Sequence, residues 1–278
     1  MESWLASIML ASLTLVTARR YDLQRAAILA LGAAGLLAAS SLPLSLAGAP
    51  LIGLAAAVQV ERQRAYGLIV AAMALPGLLQ SLYLLLSVSQ QGLLFEEQAE
   101  QLVAQIKAVG WQGEVDDTIL REMVLIGLRL QPGTEFLAAL LTGVLAYRLG
   151  YLASGPLRLS LPSDVPLKLW RPWSELFWAL LAGSVLIMLD GWLESLGLNL
   201  VVVVLILYAV QGLAVVRFYF DYVGLPGLAR TLFYVILLFT SGLSVLALTL
   251  LGLLDARFDW RRLSPARQTA PSEGDSIR

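Results

Sequence analysis

The chain has no histidine and no cysteine. Without histidine it lacks the commonest general base and the usual metal ligand, and a Ser-His intramembrane protease is excluded. Without cysteine, disulfides, iron–sulfur clusters and thiolate metal sites are excluded. Lysine occurs only at Lys107 and Lys168, and neither closes a Gly-rich phosphate loop. The chain therefore cannot hydrolyse ATP by that route. Charge of either sign is scarce: 14% of residues are charged, against roughly 25% in soluble domains. The net charge of −1 leaves no basic patch for nucleic acid. Asp190 and Asp221 fall at the ends of apolar runs and no Gly-x-Gly-Asp motif is present, which argues against an aspartyl intramembrane protease. No enzyme constellation and no cofactor site is expected.

What the chain does have is apolar sequence. Hydrophobic residues make up 58% of it, and they gather into eight runs near 3–18, 26–42, 44–60, 65–89, 136–152, 173–189, 196–216 and 228–254. A spanning helix needs about 20 apolar residues, with a range of about 17–25. Backbone groups in lipid must be paired internally, so the runs have to be helices. The expected fold is an all-α polytopic transmembrane bundle of about eight spans with an amphipathic extramembrane helical segment. One membrane domain covers 1–262, and the polar tail 263–278 reads as disordered. The first run does not read as a signal peptide, because Glu2 precedes it and Arg19 and Arg20 follow it.

Several features organise the runs. Ala26, Ala30, Ala34 and Ala38 recur four apart beside Gly35 and Ala39, a small-residue face suited to close helix packing. Pro43 and Pro50 bracket a short turn, and Pro76-Gly77 kinks the fourth run. The connection 90–133 carries an amphipathic helix: Phe95, Ala99, Leu102, Ile106 and Val109 share one stripe, and Glu96, Glu97, Glu100, Gln101 and Gln105 the other face. A second helix follows Asp116-Asp117 and ends at Pro132-Gly133. Trp170, Trp173 and Trp178 mark an interfacial belt at the sixth run.

Basic residues favour cytoplasmic loops. With eight spans and an outside N-terminus, Arg19, Arg20, Arg25, Arg62, Arg64 and the group at 148–171 are inside. The group at 257–267 then falls outside, because three apparent spans separate it from 148–171. The two basic groups conflict under this count.

Ionisable residues within spans are functional candidates by default, and the runs show no acidic residue near their centres. What remains is neutral and polar. Gln80 in the fourth run and Asn199, Tyr208 and Gln211 in the seventh are candidate ligand-binding residues. Asn199 and Gln211 lie near one face, and bonding to a neighbouring helix is the alternative for both. Arg217 and Asp221 are spaced as a helical ion pair. At the C-terminal end, Asp255, Asp259, Arg261 and Arg262, with Phe258 and Trp260, form either a charged anchor or a partner-docking surface.

Four segments of the C-terminal half together resemble the YybS-like family of bacterial membrane proteins: Tyr147-Arg148-Leu149-Gly150, Trp170-Arg171-Pro172-Trp173, Asn199 with Tyr208-Ala209-Val210-Gln211-Gly212-Leu213-Ala214-Val215, and Gly252 to Arg262. The N-terminal half is similar only in hydropathy. The resemblance implies a multi-pass protein of the bacterial cytoplasmic membrane, remotely similar to the substrate-binding subunits of energy-coupling-factor transporters. It supplies no catalytic or ligand residues.

Two functions fit these expectations. One is a substrate-capture membrane subunit whose energy comes from a partner ATPase. The other is a non-transporting scaffold that recruits envelope or division proteins. Lipid is a contact in both.

Overall fold

The computed structural model describes residues 2–38, 44–62, 66–90, 92–108, 116–154 and 166–261. Pro43, Ala39, Arg64, Val109, Arg158, Arg262 and the tail 263–278 lie outside the described residues. The regular elements among the described residues are all helical: α1 (Glu2–Arg20), α2 (Leu23–Ala38), α3 (Leu44–Glu61), α4 (Tyr66–Gln90), α5 (Gly92–Ala108), α6 (Asp117–Ser154), α7 (Leu176–Leu186), α8 (Trp192–Val223), α9 (Gly227–Phe239) and α10 (Ser241–Phe258).

The count of eight spans does not hold. Among the described residues, two helices are long and apolar enough to cross a bilayer, Asp117–Ala153 and Trp192–Val223. A third span is reached if the bent pair Gly227–Leu237 and Gly242–Phe258 counts as one. The apolar stretches Leu23–Ala38, Gly48–Glu61, Ile69–Leu85 and Leu176–Leu186 are shorter. At 11 residues, α7 is about 17 Å long, well short of a hydrocarbon core about 30 Å thick. α1 is diluted by Ser3, Ser7, Ser12, Thr14 and Thr17.

The chain forms two compact units. The first comprises Met1–Asp164 and Leu186–Asn199. Its centre is a bundle of α1, α3, α4 and α6, with α2 against α3 and α5 against α6. Ile8, Ala11, Leu15, Ile52, Ala56, Ile69, Met73 and Tyr147 fill the interior. Small residues set the spacing. A Cβ on Gly53 would collide with the Ala11 carbonyl, and one on Gly77 with the Ala139 side chain. Only the first half of the α2 alanine stripe is covered: Ala26 and Ala30 are buried, whereas Ala38 and Gly35 are exposed. In α5, Ala99 is buried and Glu96, Glu97 and Glu100 are exposed. Glu96–Arg121 and Lys107–Asp117 ion pairs tie α5 to α6.

Two prolines read as breaks lie inside helices. Pro50 sits within α3 and Pro132 within α6, both fully buried. The turn bracketed by Pro43 and Pro50 is therefore not formed at Pro50. The helix that was to end at Pro132-Gly133 runs on into the fifth apolar run as one 38-residue element. Spanning helices tolerate proline when neighbours satisfy the backbone groups it frees, and α6 receives such help at this step, as shown below.

The second unit comprises Val165–Val185 and Leu200–Arg278. Here α8 and α10 run parallel. The Thr249 hydroxyl donates to the Leu205 carbonyl (3.2 Å), Gly252 lies on the Tyr208 carbonyl, and Gln211 meets Asp255. A Cβ on Gly212 would strike the Leu248 carbonyl, and one on Gly252 the Tyr208 carbonyl. Such glycines let backbones approach where lipid supplies no hydrophobic drive. The run 228–254 is not one straight span, because α9 and α10 turn through 112° between Leu237 and Gly242. Segment 166–173 meets the end of α10: Arg171 pairs with Asp259 (3.3 Å), and Arg261 donates to the Trp170 carbonyl (3.1 Å). Lys168 and Arg171 thus lie beside the end of α10 within this unit. Met188, Leu228 and Phe239 are 84%, 85% and 84% exposed, which suits contact with lipid rather than water.

Candidate functional site

The first unit holds a partly open cavity of about 200 Å³ beside Pro76 of α4, lined by Ser7, Pro76, Gly77, Gln80, Glu135 and Thr142 among others. Four helices supply these groups: Ser7 from α1, Gln80 from α4, Glu135 and Thr142 from α6, and Ile52 and Gly48 from α3. Proline at 76 interrupts the α4 ladder, and Gly77 brings α4 against Ala139. The cavity opens beside this tight step. Ser7 and Thr142 are buried and Gln80 and Glu135 half-buried. Among the described lining residues, Glu135 alone is charged. No cation among the described residues pairs with it, and Gln80 makes no side-chain hydrogen bond among them. An apolar cavity with a few convergent polar groups is the usual form of a small-molecule site. Pockets for drug-sized ligands run about 300–1,000 Å³, so this one suits a smaller compound.

Glu135 was missed in the sequence. It stands one residue before the fifth apolar run and two after Pro132-Gly133, so it read as part of a connection. In the continuous α6 it lies halfway along the helix. It borders the fifth apolar run without entering it, so the runs still hold no acidic residue near their centres. The available signal was the single carboxylate beside the longest apolar stretch of α6.

Asn199 does not line the cavity; it braces α6. Its Oδ1 accepts from the Gly133 N–H (2.7 Å), and its Nδ2 donates to the Arg129 carbonyl (2.8 Å) and to Ser195 (2.7 Å). Gly133 N–H and Arg129 C=O are partners in an unbroken helix. The carboxamide stands between them and satisfies both. Ser81 of α4 donates to the Pro132 carbonyl (2.6 Å). Glu194, near the start of α8, pairs with Arg129 across 3.8 Å at an exposed site, where such pairs contribute little.

Tyr208 and Gln211 belong to the second unit, and both are buried. Gln211 Nε2 donates to Asp255 Oδ2 (2.9 Å), while its Oε1 has no partner among the described residues. Asp255 and Arg261 form a second pair at 2.8 Å, with side chains only 2% and 0% exposed. The guanidinium also donates to the Lys168 (2.8 Å) and Trp170 carbonyls. The turn that allows this is at Asp259, which ends α10 in the left-handed region (φ 49°, ψ 53°) and donates its N–H to the Asp255 carbonyl. Asp255 and Arg261 are therefore turned into the unit rather than presented as a docking surface. Asp259 is buried and paired with Arg171. Nearby, Asp221 holds Arg230 (2.7 Å), Lys168 (3.1 Å) and Arg217 (3.8 Å).

The structure thus brings Gln80 to the cavity with Ser7, Glu135 and Thr142, and gives Asn199 and Gln211 helix-bonding roles. Long apolar helices and large exposed apolar side chains define a helical membrane protein. The chain belongs to the DUF2232 family of predicted membrane proteins, which matches residues 3–256 and so takes in the N-terminal half as well. No curated protein and no solved structure matches it.

Proposed function

We propose that the protein is a substrate-capture subunit of a bacterial cytoplasmic membrane transport system, working with a separate ATPase and carrying out no chemistry itself. The observation that carries this reading is the cavity beside Pro76 of α4, lined by Gln80, Glu135, Ser7 and Thr142. The absence of a phosphate loop from the sequence assigns the energy supply to another polypeptide. The sequence resemblance to the YybS-like family, itself remotely similar to energy-coupling-factor substrate-binding subunits, points the same way but fixes no function.

The test is a thermal-shift screen of the full chain in nanodiscs against vitamins and small metabolites, with co-purification from native membranes. A stabilising compound whose effect is lost in Gln80→Leu and Thr142→Val, together with a co-purifying ATPase, supports the reading. No stabilising compound and no ATPase overturns it. An envelope or division protein recovered in the ATPase's place favours the scaffold.

A further inference from the structure

We infer that the cavity in the first unit takes a small organic cation, an amine or guanidinium compound, with Glu135 as its counter-charge. This rests on the capture reading and names the class of ligand. Glu135 is the one charged group among the described lining residues, and it has no cationic partner among them. A carboxylate beside a low-dielectric cavity attracts a cation strongly and repels an anion. Glu135 is half-buried on the cavity wall, so a positive group in the cavity would face its carboxylate directly. The Gln80 carboxamide oxygen accepts hydrogen bonds, matching the donor-rich face of an ammonium. At about 200 Å³, the space is too large for a bare metal ion held by a single carboxylate, and suits a compound of a few carbons.

The chain has no cysteine, so one introduced thiol is the sole target for labelling. The probes are 2-aminoethyl and 2-sulfonatoethyl methanethiosulfonate, which differ in the sign of their charge. They are applied to Gln80→Cys and, should that variant fold poorly, to Ala138→Cys, which also lines the cavity. The expected result is a ratio of cationic to anionic labelling rates at least ten-fold higher than in the same variant carrying Glu135→Gln. An equal ratio in both backgrounds, or no labelling of either thiol, overturns the proposal. A metabolite screen without hits but with the labelling preference intact removes the capture reading and leaves the cation site. Stabilisation by anionic or neutral compounds with no labelling preference does the reverse.

Discussion

The Asn199 carboxamide occupies the broken step of α6, accepting the Gly133 N–H at 2.7 Å and returning a hydrogen bond to the Arg129 carbonyl at 2.8 Å. The proline that opened the ladder is one residue earlier, and Glu135 is two residues later. The brace therefore sets the direction in which α6 carries Glu135 toward the cavity.

Replacing Asn199 with leucine removes the partner of the buried Gly133 N–H and of the part-buried Arg129 carbonyl. Polar contacts between membrane helices average about 0.6 kcal/mol and reach about 1.7 kcal/mol, and an orphaned group adds about 1–3 kcal/mol. A loss of about 2–4 kcal/mol is expected in reversible unfolding in bicelles. Adding Pro132→Ala lets α6 close its own ladder, so the double variant should lose less than the sum of the two singles. Strict additivity would show that the carboxamide does not fill the step.

The Asp255–Arg261 pair should respond asymmetrically. Removing one partner of a buried pair costs about 3–5 kcal/mol, whereas replacing both with apolar residues is often neutral. Asp255→Ala is expected to lower the unfolding midpoint sharply, and Asp255→Leu with Arg261→Met to recover most of the loss. If Asp255→Ala alone is silent in thermal unfolding, the pair does not hold the end of α10.

Glycines should divide by their surroundings. Gly212→Ala forces α8 from α10 at the Leu248 carbonyl, an overpacking expected to cost about 1–3 kcal/mol. Gly127, in α6, has nothing within 4 Å of an added Cβ, so Gly127→Ala should stabilise by up to about 1 kcal/mol. Equal effects of the two substitutions on the unfolding midpoint would contradict the close approach.

Sidedness follows from the contacts of Arg171 with Asp259 and of Arg261 with Trp170. A reporter inserted before Pro166 and one fused to the C-terminus should report the same side, and the basic residues assign it to the cytoplasm. Reporters on opposite sides would exclude the folded-back α9–α10 pair.

The all-helical class and the Arg217–Asp221 pair were legible in apolar runs and spacing, and of the α5 stripe Ala99 is buried whereas Leu102 is exposed. Two features were not: the proline step inside α6 and the turn between α9 and α10. Pro132-Gly133 reads as a terminator because the groups that repair it, Ser81 and Asn199, are 51 and 66 residues distant. The turn inside 228–254 carries only the weak punctuation Thr240-Ser241-Gly242, where the Thr240 hydroxyl bonds back to the Ile236 carbonyl (2.8 Å). Among the candidate ligand residues, Gln80 was visible as a lone polar group in a kinked run. Glu135 was hidden by the misread proline, and Ser7 and Thr142 look like ordinary small residues until α1 and α6 meet around the cavity.

The central claim is that the cavity beside Gln80 and Glu135 holds a small molecule in the membrane. Native mass spectrometry of the protein released directly from its own membranes tests this most directly, comparing the wild-type chain with Ala138→Trp, which fills the cavity. The predicted result is a wild-type species heavier by one small compound, with that adduct missing from the filled variant. Identical spectra for the two proteins would contradict it.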